Sequence, residues 1–138
     1  MITIKKQEIV KLEDVLHLYQ AVGWTNYTHQ PEMLEHALSH SLVIYLALDG
    51  DAVVGLIRLV GDGFSSVFVQ DLIVLPIYQR QGIGSALMKE ALKDYKDAYQ
   101  VQLVTEETEK NVGFYRSMGF EILSTYNCIG MTWANREK

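Results

Sequence analysis

The stretch Asp71-Leu72-Ile73-Val74-Leu75-Pro76-Ile77-Tyr78-Gln79-Arg80-Gln81-Gly82-Ile83-Gly84-Ser85-Ala86-Leu87 decides the reading of this chain. Its apolar beginning reads as a strand, and Pro76 stops that strand. A polar loop comes next, and two glycines open a helix running to about residue 95, with Ile83, Leu87, Ala91, Leu92 and Tyr95 facing inward. Free N–H groups and the positive dipole end make such a helix start an anion site. Glycine there lets a phosphate approach the backbone without a Cβ in the way. Arg80 can add a charge-assisted contact. A bare helix start with no ligand reads the same way, so Gly-x-Gly needs structural context. The dinucleotide fingerprint is the sharper rival, but Leu87 stands where its third glycine would be. Five residues, Ile77 to Gln81, also separate Pro76 from Gly82, where a dinucleotide fold turns tightly.

Working back from this stretch, residues 66–75 form its strand, preceded by a Gly61-Asp62-Gly63 turn. Strands at 42–48 and 52–60 flank Asp49-Gly50, a tight-turn signal. Before them, Leu12, Val15, Leu16, Tyr19 and Val22 recur at helical spacing, and Gly23 ends that helix. Pro31 suits the first position of a second helix over 31–39, with Leu34, Ala37 and Leu38 inside. Residues 2–7 read as a short strand. Working forward, 101–105 is a strand, 109–117 a short helix closed at Gly119, and 120–125 and 128–134 are two final strands. The order is βααβββαβαββ, an α/β chain with a mixed, mostly antiparallel sheet and helices on both faces.

At 138 residues the chain fits one domain, 1–138, able to bury roughly two thirds of its unfolded surface. A net charge of −5 argues against a nucleic-acid partner, which calls for a basic face. The one cysteine, Cys128, excludes an intrachain disulfide framework and fits a reducing compartment. Cys128 reads as a small buried residue. The longest apolar run, 42–48, is far short of a membrane span, and no signal-peptide core comes after Met1. The expected location is cytoplasmic. His36 and His40, four apart, are half of a metal site at most, and zinc needs a third protein ligand, so no metal is expected.

The run Val74-x-Pro76-x-x-Gln79-x-x-Gly82-x-Gly84 resembles motif A of the GNAT acetyltransferases. Asn111-x-x-Phe114-Tyr115-x-x-x-Gly119-Phe120 resembles their motif B, and the element order also matches, so the resemblance covers nearly the whole chain. It implies acetyl-CoA as donor and a primary amine of a small molecule or peptide as acceptor. It implies that Gln79, Arg80, Gln81, Gly82, Ile83, Gly84 and Ser85 hold the pyrophosphate, with the backbone of Ile73 and Val74 on the pantetheine arm. It makes a homodimer through the C-terminal strands the oligomer to test.

Asn111 and Tyr115 share one helix face, and Gly113 between them costs about 1 kcal/mol against alanine, as though a close neighbour needs the space. The resemblance implies that Asn111, with Phe114 in the same motif, meets the pantetheine and that Tyr115 sits by the thioester sulfur. A phenol is protonated at neutral pH and can donate to a departing thiolate, which makes Tyr115 the candidate general acid. A surface-facing core tyrosine is the plainer alternative.

On the acceptor side, only about one alkylammonium in 10³ is deprotonated at pH 7, so a base or water chain must assist. Diamine acetyltransferases of this family carry Glu-Asp where this chain has Gln70-Asp71. Gln70 is not a base, which leaves Asp71 or Glu106 as base or water-orienting group. Alternation turns 70 and 71 to opposite faces unless a bulge intervenes. Trp24, Tyr27 and His29 lie in an aromatic loop that suits an acceptor, or that staples the helices to the sheet. Arg58, in an apolar strand, is an exposed edge residue or the partner of an acceptor carboxylate. A non-catalytic acyl-CoA-binding module is the competing function, supported by Gln70.

Overall fold

A computed structural model of the chain describes residues 1–134, in two compact units, Met1–Leu103 and Val104–Lys138. The first unit holds β1 (Ile2–Lys6), α1 (Leu12–Ala21), α2 (Thr25–Thr28), α3 (Pro31–Ser39), β2 (Val43–Asp49), β3 (Ala52–Gly61), β4 (Ser66–Val74), a 3-10 turn at Pro76–Tyr78, α4 (Ile83–Leu92) and β5 (Gln100–Leu103). The sheet order is β1-β2-β3-β4-β5, antiparallel except for the parallel β4–β5 pair. That parallel step is where α4 crosses over, as parallel strands require.

The helices divide between the two faces of the sheet because strand side chains alternate. Ile44, Leu46, Leu56 and Ile73 point to one face and pack with Val15, Leu18 and Tyr19 of α1, Tyr27 of α2, and Leu34 and Leu38 of α3. Val15, Leu18 and Tyr19 are fully buried at i, i+3 and i+4 spacing, the stripe a helix needs to cover a sheet. Tyr45, Ala47, Gly55 and Ile57 point the other way. A Cβ at Gly55 would lie 3.3 Å from Leu87, so α4 packs tightly on that second face. The β3–β4 turn needs Gly61: its φ is +128, and a Cβ would come 2.2 Å from the Ser66 carbonyl.

β4 departs from a regular paired strand in two places. The register runs Arg58↔Asp71 and then Leu59↔Val69, which leaves Gln70 as the extra residue of a β-bulge. β5 pairs only with Ser66–Val69, so no strand of this unit covers the outer edge of β4 from Gln70 to Val74.

The second unit contains α5 (Glu109–Ser117), with the expected bounds, and a 3-10 turn at Leu123–Tyr126. The two final strands expected at 120–125 and 128–134 are not formed; the 3-10 turn takes up the second half of the first segment, and a left-handed Asn127 closes it. A dimer through C-terminal strands therefore has no strands to use among the described residues. The helix at Thr25–Thr28 is an addition to the expected elements; four residues are too few to show an apolar period.

Candidate functional site

Pro76 ends β4, and the 3-10 turn after it is tied back by the Tyr78 hydroxyl, which donates to Asp49 Oδ2 at 2.6 Å. The chain then takes two left-handed-region steps near the helix start, Arg80 at φ +66 and Gly82 at φ +79. A non-glycine residue in that region costs about 1 kcal/mol and tends to mark a functional site. The first bond of α4 runs from the Ala86 N–H to the Gly82 carbonyl, so the N–H groups of Ile83, Gly84 and Ser85 lack intrahelical acceptors. No side chain caps this end. A Cβ at Gly82 would meet nothing within 4 Å, and Arg80, Gln81 and Gly82 are exposed. Donors, dipole, cation and open space together fit a pyrophosphate.

The open edge of β4 lies just before this turn. The Leu75 N–H donates to the Val54 carbonyl across to β3 at 2.9 Å. Alternation then turns Ile73 toward β3 as well, and turns the N–H and C=O of Leu72 and Val74 outward. Of the two residues the motif points to, Ile73 and Val74, it is Val74 whose backbone faces this edge, together with that of Leu72. Gln79 reaches back and donates from Nε2 to the Val74 carbonyl at 3.1 Å, bracing the strand end. The side chain of Gln79 thus meets the strand rather than the helix start.

At the bulge lies a buried polar network. Arg58 Nε donates to Asp71 Oδ2 at 2.8 Å, and the Tyr19 and Tyr27 hydroxyls donate to Oδ2 and Oδ1 at 2.8 and 2.9 Å. Arg58 Nη2 and Gln70 Nε2 donate to the Tyr27 hydroxyl oxygen at 3.2 and 3.3 Å. Arg58 Nη1 reaches Ser41 Oγ at 3.2 Å. Arg58 and Asp71 are 4% and 2% exposed. Burial, reinforced by the Asp71 charge, pushes the Tyr19 phenol far above its usual 10, and Tyr27 rises for the same reasons. Both phenols stay neutral donors.

Two expectations change here. Arg58 is neither an edge residue nor exposed to an acceptor: β3 is central, and an internal carboxylate meets its charge. Asp71 takes three donors in the interior, a structural arrangement rather than a solvent-facing base. The bulge does bring Gln70 and Asp71 to one side, since both touch Tyr27. Tyr19 joins the network from a position that reads, in the sequence, only as part of the apolar stripe of α1.

Trp24 is half-buried, 6.1 Å ring to ring from Tyr19 and 6.3 Å from Tyr27, so it staples α1 to α2. His29 is exposed at the end of α2. His36 on α3 and His40, the residue that caps its C-terminus, are both exposed, and no group of metal-ligating residues forms among the described residues.

In the second unit, Thr108 caps α5 by accepting the Asn111 N–H at 3.1 Å. Asn111 Nδ2 donates to the Glu106 carbonyl at 3.2 Å, so its amide is engaged within its own helix start. The Glu106 residue is exposed. Tyr115 stacks edge-on against Phe114 at 5.0 Å and Phe120 at 6.0 Å, and burial raises its phenol above 10. A Cβ at Gly113 would meet nothing within 4 Å, so no neighbouring protein group demands that glycine. Cys128 is exposed, not buried. No described helix is long and apolar enough to cross a membrane.

Residues 40–122 match the family described as "Acetyltransferase (GNAT) domain". A GNAT-family acetyltransferase of Streptococcus pneumoniae TIGR4 is similar in structure, with a TM-score of 0.93 and 88% identity over 99% of this chain and 100% of that one. The PaiA N-acetyltransferase of Thermoplasma acidophilum, solved in complex with coenzyme A, shares the fold at a TM-score of 0.70 and 19% identity, over 88% of this chain and 91% of that one. The chain is 33% identical over 95 residues to serotonin N-acetyltransferase 2, chloroplastic, of Oryza sativa subsp. japonica. That match covers 66% of this chain and spans about half, 48%, of the rice protein.

Proposed function

Since the chain belongs to the GNAT acetyltransferase family, whose donor is acetyl-CoA, we propose that it moves an acetyl group from acetyl-CoA to a primary amine of a small molecule or peptide. The observation that carries this reading is the uncapped start of α4 next to the open edge of β4. One offers donors to a pyrophosphate, and the other offers outward N–H and C=O groups to an amide-bearing arm. The amine nitrogen would attack the thioester carbonyl carbon in a ternary complex. The new C–N bond forms, the C–S bond breaks with its electron pair on sulfur, and the nitrogen sheds a proton.

Each residue has a role in this reading. Gly82 keeps the approach to the backbone free, and Arg80 adds charge at the pyrophosphate. The outward N–H groups of Leu72 and Val74 are suited to polarise a carbonyl oxygen. Tyr115 gives its proton to the departing sulfur; support comes from its motif and from the burial that keeps its phenol protonated. The amine's proton goes to water, with exposed Glu106 the carboxylate available to orient it. Trp24, Tyr27 and His29 shape the acceptor side. A cytoplasmic location fits the single cysteine.

Thermal unfolding tests the reading. Acetyl-CoA at about 100 times its Kd adds about 2.7 kcal/mol and raises Tm by several degrees. NAD should leave Tm unchanged. No shift with millimolar acetyl-CoA or CoA sinks the proposal. A shift without acetyl transfer to any amine favours a binding module instead.

A further inference from the structure

We propose that the side-chain carbonyl of Gln70 receives an N–H of the acceptor amine, and that Tyr27 sets its orientation. The inference rests on the acetyltransferase reading above, and it starts from the Tyr27 hydroxyl. That group has one proton, and its partner Asp71 Oδ1, at 2.9 Å, belongs to a carboxylate that can only accept. The proton is therefore committed to Asp71. What remains on the Tyr27 oxygen is lone pair, already facing a donor from Arg58 Nη2 at 3.2 Å.

Gln70 meets this oxygen at 3.3 Å. Its amide can present only the NH2 side there, because its own oxygen would face a lone pair. The orientation of a glutamine amide is ordinarily a choice between two similar shapes, and here the network makes the choice. With nitrogen turned inward, the carbonyl oxygen is directed away from the network, on a residue that is exposed. Gln70 is also the extra residue of the bulge, at the start of the open edge of β4. Leu72, whose N–H turns outward, is two residues along, about 7 Å along the strand backbone. Gln70 thus stands at the same end of β4 as the edge that would hold the thioester carbonyl.

An amide oxygen accepts hydrogen bonds but takes no proton at neutral pH. Gln70 therefore binds and aims the amine without deprotonating it. The charges of Arg58 and Asp71 cancel behind it, so the hold is one hydrogen bond to an uncharged acceptor, not an ion pair. Tyr27 acts through Gln70 as a positioning residue.

The test compares wild type with Gln70→Met, which keeps length and removes the oxygen at an exposed position. Serotonin, tyramine and putrescine serve as probe amines, with acetyl-CoA as donor. We expect the amine KM to rise about tenfold, the size of one hydrogen bond, while acetyl-CoA affinity and Tm hold. An amine KM within twofold of wild type overturns the proposal. A second readout needs no turnover: the Gln70 NH2 pair in a ¹⁵N correlation spectrum, identified by its loss in Gln70→Met, should stand apart from free-glutamine shifts. A pair at free-glutamine positions removes the inward orientation, and the proposal with it. Failure of wild type to bind acetyl-CoA by calorimetry would instead bring down the acetyltransferase reading and this proposal together.

Discussion

Arg58 and Asp71 are cross-strand partners in the β3–β4 register and close a buried ion pair of 2.8 Å beside the bulge at Gln70. Tyr19 of α1 and Tyr27 of α2 both end on the same carboxylate, so the two helices share one polar anchor on the sheet beside their apolar packing.

Removing that side chain should be costly. Asp71→Ala leaves the Arg58 charge buried without a counter-ion and two phenols without an acceptor. Breaking such a pair costs about 3–5 kcal/mol, which for a domain of this size lowers Tm by about 10 °C or more. Differential scanning calorimetry checks it. A loss under about 1 kcal/mol would mean that water enters the network freely.

The same network sets the alkaline limit of stability. Tyr19 has its folded pKa raised above its ordinary 10. Its contribution is fully present below about pH 10, where the phenol is neutral in both states. Above that the unfolded chain loses the proton first, so stability falls with rising pH, by about 1.4 kcal/mol per pH unit from this group. Urea melts at pH 8, 10 and 11 should show the decline only above 10. Tyr19→Phe should make the decline shallower by that one group's share, leaving the shares of Tyr27 and Tyr115.

Gly82→Ala separates fold from ligand. The new Cβ meets no protein atom within 4 Å, so its structural cost is the left-handed conformation alone, about 1 kcal/mol. A phosphate close to that backbone would be displaced by it. Calorimetric titration should find acetyl-CoA bound at least tenfold more weakly, with Tm lowered by only a few degrees. Unchanged affinity would move the pyrophosphate elsewhere.

Tyr115→Phe keeps the ring stacked on Phe114 and Phe120 and removes only the hydroxyl. As the general acid its loss should lower kcat about 100-fold, with acetyl-CoA affinity held within twofold. Steady-state rates and a binding titration on the same preparation decide. Wild-type turnover removes the assignment.

Much of the fold is legible in the sequence because it is written in local terms. Apolar periodicity marks α1, α3 and α4, turn residues mark the β2–β3 hairpin, and Pro76 with Gly82 marks the strand–loop–helix start proposed to take an anion. These signals act within a few residues of the chain, so the sequence carries them complete. The expected C-terminal strands do not form because a β-propensity is realised only where a partner strand accepts it.

The meaning of the polar residues is another matter. The sequence determined that Arg58, Gln70 and Asp71 sit in apolar strands, and it raised a bulge as a condition for Gln70 and Asp71 to face one way. It did not determine what they touch. Asp71 looks like a base and Arg58 like an acceptor contact until register places them opposite each other and two tyrosines, 52 and 44 residues away along the chain, donate to the same carboxylate. Local chemistry fixes what a backbone segment can form. Only tertiary structure decides whether a buried charge finds its partner inside the protein or leaves it for a substrate, because burial and pairing are properties of the assembled neighbours.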